Sequence, residues 1–251
     1  MINNITAVVL AKNNDNTIEK TLKSLESFDD VVVYDNGSTD NTMNIAKKFQ
    51  NVNLIEGEFN GFGWTKNKAA SYAKNDWIII IDSDEVIDSI LLNTLETITL
   101  DKNKVYQLNF KAFYKDIQVK YCGWNNQKIK RVYNKIITSY NDNDVHEDII
   151  TDKLDIELLN GNVEHYSYHS ISQFIIKADH YSTLFAKNNA GKKSSSPLKA
   201  YFNGLYSFIK TYFFKRGFLD GYVGLIISFS HMVTNFYKYI KLYELNIKLK
   251  K

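Results

Sequence analysis

Four short apolar runs, 5–11 (ITAVVLA), 31–35 (VVVYD), 52–55 (VNLI) and 77–82 (WIIIID), punctuate the first hundred residues, with helix-like stretches between them. Runs rich in β-branched residues and bounded by turn residues read as strands buried on both faces. Their alternation with helices is the pattern of βα units on a largely parallel sheet. Each run ends in a polar loop. In open α/β sheets ligands bind outside the carboxyl ends of the strands, so the loops after Ala11, Asp35 and Asp82 are where chemistry is expected. Helices are predicted over 17–27, with Asn16 as cap and Glu19 completing a capping box, over about 40–49 and 64–74, and from about Ser89.

From 104 to about 168 the residues alternate apolar with polar (VYQLNFKAFY, IQVKY, KIKRVY, VEHYSY), which predicts antiparallel or mixed strands added to the sheet. Helix returns near Ile171. The stretch 191–197 (GKKSSSP) holds the only proline and three serines and reads as a linker or kink, followed by two helices broken near 216–221. The chain is therefore expected to divide into an α/β domain over 1–190 and a basic, aromatic helical extension over 191–251.

At 251 residues and 44% hydrophobic the chain can bury a sizeable core, which excludes wholesale disorder. Its one cysteine, Cys122, permits no internal disulfide and has no base at useful spacing. With no basic leader before the first apolar run, a cytoplasmic setting is expected, with neither a signal peptide nor a spanning helix at the start. The net charge of +3 hides a split. Residues 192–251 carry eleven Lys and Arg against Asp220 and Glu244, a local +9, while the upstream 20 basic and 26 acidic residues give −6. Fourteen of the 35 aromatic residues fall within 201–243, interleaved with Lys210, Lys215, Arg216, Lys238 and Lys241. A basic, aromatic segment of this kind suits an anionic surface, membrane lipid or nucleic acid. Its longest uncharged stretch, 221–237, is at the short limit for a bilayer core of about 30 Å, so helices lying on the membrane are expected rather than a span. The alternative is helices packed on the α/β domain or in a homodimer.

The sharpest chemical signal is Asp82-Ser83-Asp84-Glu85 directly after a buried strand. Two carboxylates one residue apart can hold a hard divalent cation, Mg2+ or Mn2+, and leave its other positions for water and phosphate oxygens. The competing reading, a helix cap, needs one acid rather than three in four positions. After the second strand, Asp35 can accept hydrogen bonds from a uracil or ribose, Asn36-Gly37 make a turn, and Thr39 or Asp40 caps the next helix. Glu147, after the polar loop 141–144, is a carboxylate that can act as a general base, with its neighbour Asp148 as competitor and an ordinary exposed loop acid as the alternative. His165 is a candidate to complete a metal shell, or a structural histidine. Trp124 and Arg131 can stack on and hydrogen-bond an acceptor sugar, or serve as core Trp and surface Arg.

The succession ITAVVLAKN, VVVYDNGSTD, GFGWTKNKA and WIIIIDSDE resembles the family 2 glycosyltransferases with the GT-A fold, over about residues 5–90. Gly123-Trp124, Lys130-Arg131-Val132-Tyr133, Val145-His146-Glu147, 165–168 and 216–221 are similar to the lipopolysaccharide core β-1,4-glucosyltransferases, which extends the likeness over most of the chain. The resemblance implies a Rossmann-like nucleotide-sugar-binding domain with a mixed sheet. It implies that Asp35 reads the uridine, with Asn13 in the same nucleotide-sugar site. Lys66 would lie near the diphosphate, Asp82 nearer the nucleotide sugar and Asp84 on the metal, with Glu147 as base. Position 66 is Lys where many relatives outside the subgroup have Arg.

The implied activity is inverting transfer of a hexose, glucose first, from a UDP-sugar to a lipid-linked saccharide such as the lipopolysaccharide or lipooligosaccharide core. The setting would be the inner face of the bacterial inner membrane, with peripheral contact through 198–251 and no nucleic acid partner. A sugar-nucleotide pyrophosphorylase would need a Gly-rich basic loop where this chain has AKNNDN. The other alternative, a noncatalytic membrane-bound sugar- or nucleic-acid-binding module, runs against the intact D-x-D.

Overall fold

The computed structural model describes residues 1–142 and 147–249; Val145 and His146 of the motif ahead of Glu147 lie outside the described residues. In chain order the elements are β1 (Ile5–Ala11), α1 (Ile18–Ser24), β2 (Val31–Asp35), α2 (Thr42–Ala46), β3 (Val52–Glu56), α3 (Phe62–Ala70), β4 (Trp77–Asp82), β5 (Glu85–Ile87), α4 (Ser89–Thr97), β6 (Lys104–Tyr114), β7 (Ile117–Val119), β8 (Gln127–Asn134), β9 (Asp155–Tyr168), α5 (Ile171–Asn189), α6 (Pro197–Ile209) and α7 (Gly221–Lys248). Between α6 and α7 the chain makes a π turn, Lys210–Phe214, and a 3-10 turn, Gly217–Asp220.

The sheet runs in the order β3-β2-β1-β4-β8-β6-β9-β5, with β7 paired to β6. β3, β2, β1 and β4 are parallel, and β8 joins β4 antiparallel, so the sheet is mixed as expected. β1, β2 and β4 read as apolar runs because both faces are covered, whereas β3, expected to be buried too, lies at the end of the sheet and is at most half-buried, with Asn53 exposed. Ala7, Val9, Val33 and Ile79 enter one core, whereas Val8, Val32, Ile78 and Ile80 enter the other. Two further local expectations fail. Helix α1 begins at Ile18 without a side-chain cap: Asn16 bonds to Asp15 instead, and Glu19 pairs with Lys23 at 2.8 Å. Helix α2 is only five residues long. The three-residue strand β5 carries too little pattern to be read from sequence.

The chain gathers into two compact units, Met1–Lys111 with Asn126–His165, and Ala112–Asn125 with Tyr166–Lys251. Helix α5 therefore belongs with the second unit, although it precedes the 191–197 break. That break is no free linker. Asn246 Oδ1 accepts from the Gly191 N–H at 2.9 Å, Ser195 Oγ donates to the Tyr239 carbonyl at 2.6 Å, and Ser196 caps α6 with Pro197 in its first turn. Among the described residues, no helix is long and apolar enough to cross a membrane.

Candidate active site

The register of the parallel strands gathers the site at one edge. Asp35 stands opposite Ala11 and Asp82 opposite Leu10, so the loops after β1, β2 and β4 leave the sheet side by side. Asn13, at a φ of +55°, adopts the left-handed conformation that asparagine tolerates. Its Oδ1 accepts from the Thr39 N–H at 2.8 Å, and its own N–H donates to Ser38 Oγ at 2.9 Å, which ties the first two loops together. Asp35 is buried. Its carboxylate accepts from Gly37 N (2.9 Å), Ser38 N (2.8 Å) and Ser38 Oγ (2.5 Å), so it shapes the turn from which any nucleotide contact would be made. Neither Thr39 nor Asp40 is the cap of α2, whose cap position is Asn41 with no side-chain cap bond; Asp40, one residue earlier, accepts from the Thr42 N–H and hydroxyl.

The Asp82–Glu85 loop is not a helix cap, because β5 follows it and α4 is capped by Asp88, which accepts from Leu91 N at 2.8 Å. Glu85, fully buried, closes the loop by accepting from Asp82 N at 2.8 Å, and Thr21 of α1 donates to the Ser83 carbonyl at 3.1 Å. Arg131 on β8 spans the pair, with Nη2 donating to Asp82 Oδ2 at 2.9 Å and to Glu85 Oε1 at 2.7 Å. Burial alone would raise the Asp82 carboxyl. The Arg131 guanidinium, with Lys66 beyond it, outweighs that and holds it well below the usual carboxylate range. Glu85 moves the other way: burial, reinforced by the Asp82 charge and opposed by Arg131, pushes it up to about 7. Arg131, expected at the acceptor sugar, is only 5% exposed at its side chain and is occupied by these carboxylates. Removing it would leave buried charge unpaired, which is why the guanidinium sits inside rather than at the acceptor.

Pairing of β5 with β9 sets Glu85 opposite His165 and brings His165 Nε2 to 3.4 Å from Asp84 Oδ2. Burial disfavours the imidazolium, but the Asp84 hydrogen bond and the charges of Glu85 and Asp82 outweigh it and raise the His165 pKa. A carboxylate oxygen and an imidazole nitrogen, both about a third exposed, form a donor pair that suits Mg2+ or Mn2+. Among the described residues no group of three or more His, Cys, Asp or Glu converges on a metal position, so a cation here would complete its shell from diphosphate and water.

Lys66 on α3 is buried, and its Nζ donates to Glu147 Oε1 at 2.7 Å and lies 5.0 Å from the Tyr140 ring centroid. Two features bring 66 and 147 together. Asn67 exchanges two 2.9 Å hydrogen bonds with the backbone of Tyr140, and a Cβ on Gly63 would fall 1.9 Å from the Asn141 carbonyl oxygen, so only glycine lets α3 approach this closely. Asp148 is held elsewhere, in an ion pair with Lys130 at 2.7 Å, and is the more exposed of the two acids. Glu85, Asn67 and Tyr140 were missed from sequence. Glu85 carried a signal as the third acid of its run; Asn67 and Tyr140, 73 residues apart, carried none. Trp124 lies in the second unit, stacked on Tyr168 and Phe174 at centroid distances of 5.3 and 6.2 Å.

Residues 6–151 match the model of the family Glycosyl transferase family 2. An uncharacterised glycosyltransferase of Rickettsia typhi is 31% identical over 260 residues, covering 97% of this chain and 88% of its own. The lipopolysaccharide core biosynthesis glycosyltransferase LpsC of Rhizobium meliloti is 22% identical over 252 residues, covering 96% of this chain and 92% of its own. Among solved structures, TarS of S. aureus aligns over 85% of this chain and 45% of that one, with 16% identity and a TM-score of 0.46.

Proposed function

The chain belongs to glycosyl transferase family 2 and has the GT-A fold, and on that premise we propose that it moves a hexose, glucose first, from a UDP-sugar to a lipid-linked saccharide with inversion. One observation carries this reading: Asn13, Asp35, Asp82 and Asp84 share one sheet edge, and Lys66 joins them to Glu147. The lipopolysaccharide core name of the R. meliloti relative supports the acceptor class.

Asp35 and the turn it shapes receive the uridine, with Asn13 fixing the neighbouring loop. Asp84 and His165 hold the divalent cation, which when bound takes up negative charge on the leaving diphosphate. Arg131 is a positioning residue: it keeps Asp82 ionised and fixes the carboxylate toward the donor sugar. Glu147 accepts the proton of the attacking hydroxyl, and a single displacement with one base inverts the anomeric centre. Lys66 orients that base and offers a cation to the diphosphate. The +9 segment makes peripheral contact with the inner face of the membrane, where a lipid-linked acceptor is met in two dimensions.

A screen of UDP-sugars for UDP release, with and without chelator, tests the reading. Release should be confined to one hexose donor, stop in chelator and be lost in Asp84→Asn with the fold intact. Undiminished release in chelator would remove the cation from the proposal. Lack of release from every UDP-sugar, with or without acceptor, would remove the donor class.

A further inference from the structure

The second unit contains a groove of about 470 Å³ lined by α5 and α7, within the range of about 300–1,000 Å³ typical of ligand pockets. Its walls include Ile171, Phe174, Ile175, Leu225 and Phe229, and Ser230 is the one residue among its lining with a polar side chain. A site with so little polar lining cannot orient a sugar or nucleotide, which need placed donors and acceptors. It suits a flexible hydrocarbon chain. Four of those walls, Ile171, Ile175, Leu225 and Phe229, are also exposed, and so are Tyr222, Leu219, Phe218 and Phe214 in the preceding turns, the last at 76%.

Charge identifies the occupant. Residues 192–219 carry six Lys and Arg and no acid, and neither 166–178 nor 221–243 contains Asp or Glu. Asp220, at the boundary, is engaged by the N–H groups of Lys120 and Tyr121. Lys215 and Lys238 lie close enough to His231, the neighbour of Ser230, to reinforce the effect of its burial and hold that imidazole below its ordinary pKa. Asp179, next to the lining residue Ala178, is paired with Lys241 at 2.7 Å, so an apolar slot among an excess of Lys and Arg complements a molecule with a hydrocarbon chain and an anionic head. A second copy of the chain would bring two positive faces together.

We propose that the groove between α5 and α7 takes one hydrocarbon chain of an anionic membrane phospholipid, whose head group meets the surrounding lysines and arginine. This deepens the membrane contact proposed above, and the test separates the two. The full chain is mixed with vesicles of phosphatidylcholine and phosphatidylglycerol, the latter carrying a mid-chain diazirine. Sedimentation reads membrane contact, and mapping of the photoadducts reads the groove. Adducts should concentrate in 171–178 and 225–233. Ser230→Trp, which fills the groove from a partly exposed position, should cut them roughly tenfold by denying the chain its apolar contacts, with sedimentation and melting temperature unchanged. Ile175→Gln, at an exposed lip, gives a second and milder test.

Protein that sediments with vesicles but is labelled only within 213–219, or equally in Ser230→Trp, keeps the membrane contact and overturns the groove. Protein that does not sediment overturns the membrane contact. The groove is then decided by a diazirine lysophosphatidylglycerol below its micelle concentration, with absence of label overturning it. A lipid-free dimer in which 171–178 and 225–233 are shielded from the probe assigns the face to a second copy and likewise overturns the proposal.

Discussion

The first unit buries charge: Asp30, Asp35, Lys66, Glu85 and Arg131 are all nearly inaccessible. Among the described residues the second unit buries no charged side chain, only Ser182, Thr211 and Ser228, yet it holds 21 of the 32 exposed large hydrophobic side chains. Both depart from the usual arrangement, in opposite senses. The charges of the first unit are answered from within. Asp30 accepts from Thr6 Oγ1 and Lys74 N at 2.8 Å each, Asp35 accepts three hydrogen bonds, and Arg131 spans two carboxylates. Some exposed rings of the second unit touch one another, as Tyr201 and Phe202 do at 5.5 Å, yet they stay open to solvent. An interior anomaly that is paired, here in all but the Arg131 Nε, points to a site that must keep its shape, whereas large apolar side chains left in water point outward, to another molecule.

The contrast can be broken most forcefully at the base. Glu147→Gln keeps the shape of the Lys66 contact and removes basicity, so glycosyl transfer should fall by ~10²–10⁴ with UDP-sugar binding by calorimetry retained. Loss in Asp148→Asn with Glu147→Gln active would move the assignment to Asp148. Next comes the buried pairing. Arg131→Met strands two carboxylates and should cost about 3–5 kcal/mol in denaturant unfolding, and adding Glu85→Leu should recover part of it. A cost under about 1 kcal/mol would mean that water reaches the pair and the first unit is not sealed.

A smaller effect probes the second unit. Burial, reinforced by Lys215 and Lys238, holds His231 below the ordinary imidazole pKa, and Trp124 Nε1 donates to its Nε2 at 3.4 Å. The unfolded chain takes up a proton near pH 6.5 that the folded unit refuses. Stability should therefore fall as the pH drops below about 6.5, by at most ~1.4 kcal/mol per pH unit, and His231→Gln should flatten that slope in melts across pH. The least effect is chemical. Burial, with Asp220 adding to it, pushes the Cys122 thiol up to about 12, so alkylation at neutral pH should await unfolding.

β1, β2 and β4 were legible to the residue because strands covered on both faces have nowhere to put a polar side chain. The Asp82–Glu85 run was legible for a related reason: three acids directly after such a strand have no packing role. What escaped was set by distant parts of the chain. Arg131 reads as a surface cation until β8 docks against β4, which turns it toward Asp82. The Asn16 cap failed because the helix starts one residue later, with Thr17 at the cap position and the Asn14 carbonyl taking the first N–H groups. The 191–197 stretch looks like a boundary by composition, but α7 returns to fasten it, a relation between residues 44 to 55 positions apart.

The pairing of Glu85 with His165 has a consequence for the order in which the protein is made. The strand pairing of the parallel half is complete by residue 82, whereas the loop after it needs Glu85 and, much later in the chain, Arg131. Asp84 must wait for a partner on the ninth strand, and that long closure brings no compensating contacts until it is complete. A growing or truncated chain that stops at residue 151, where the family match ends, would carry the acidic loop but lack His165 and leave β5 with no strand to pair with. A chain that stops there has the loops after the first, second and fourth strands but not the histidine that the sheet sets beside Asp84.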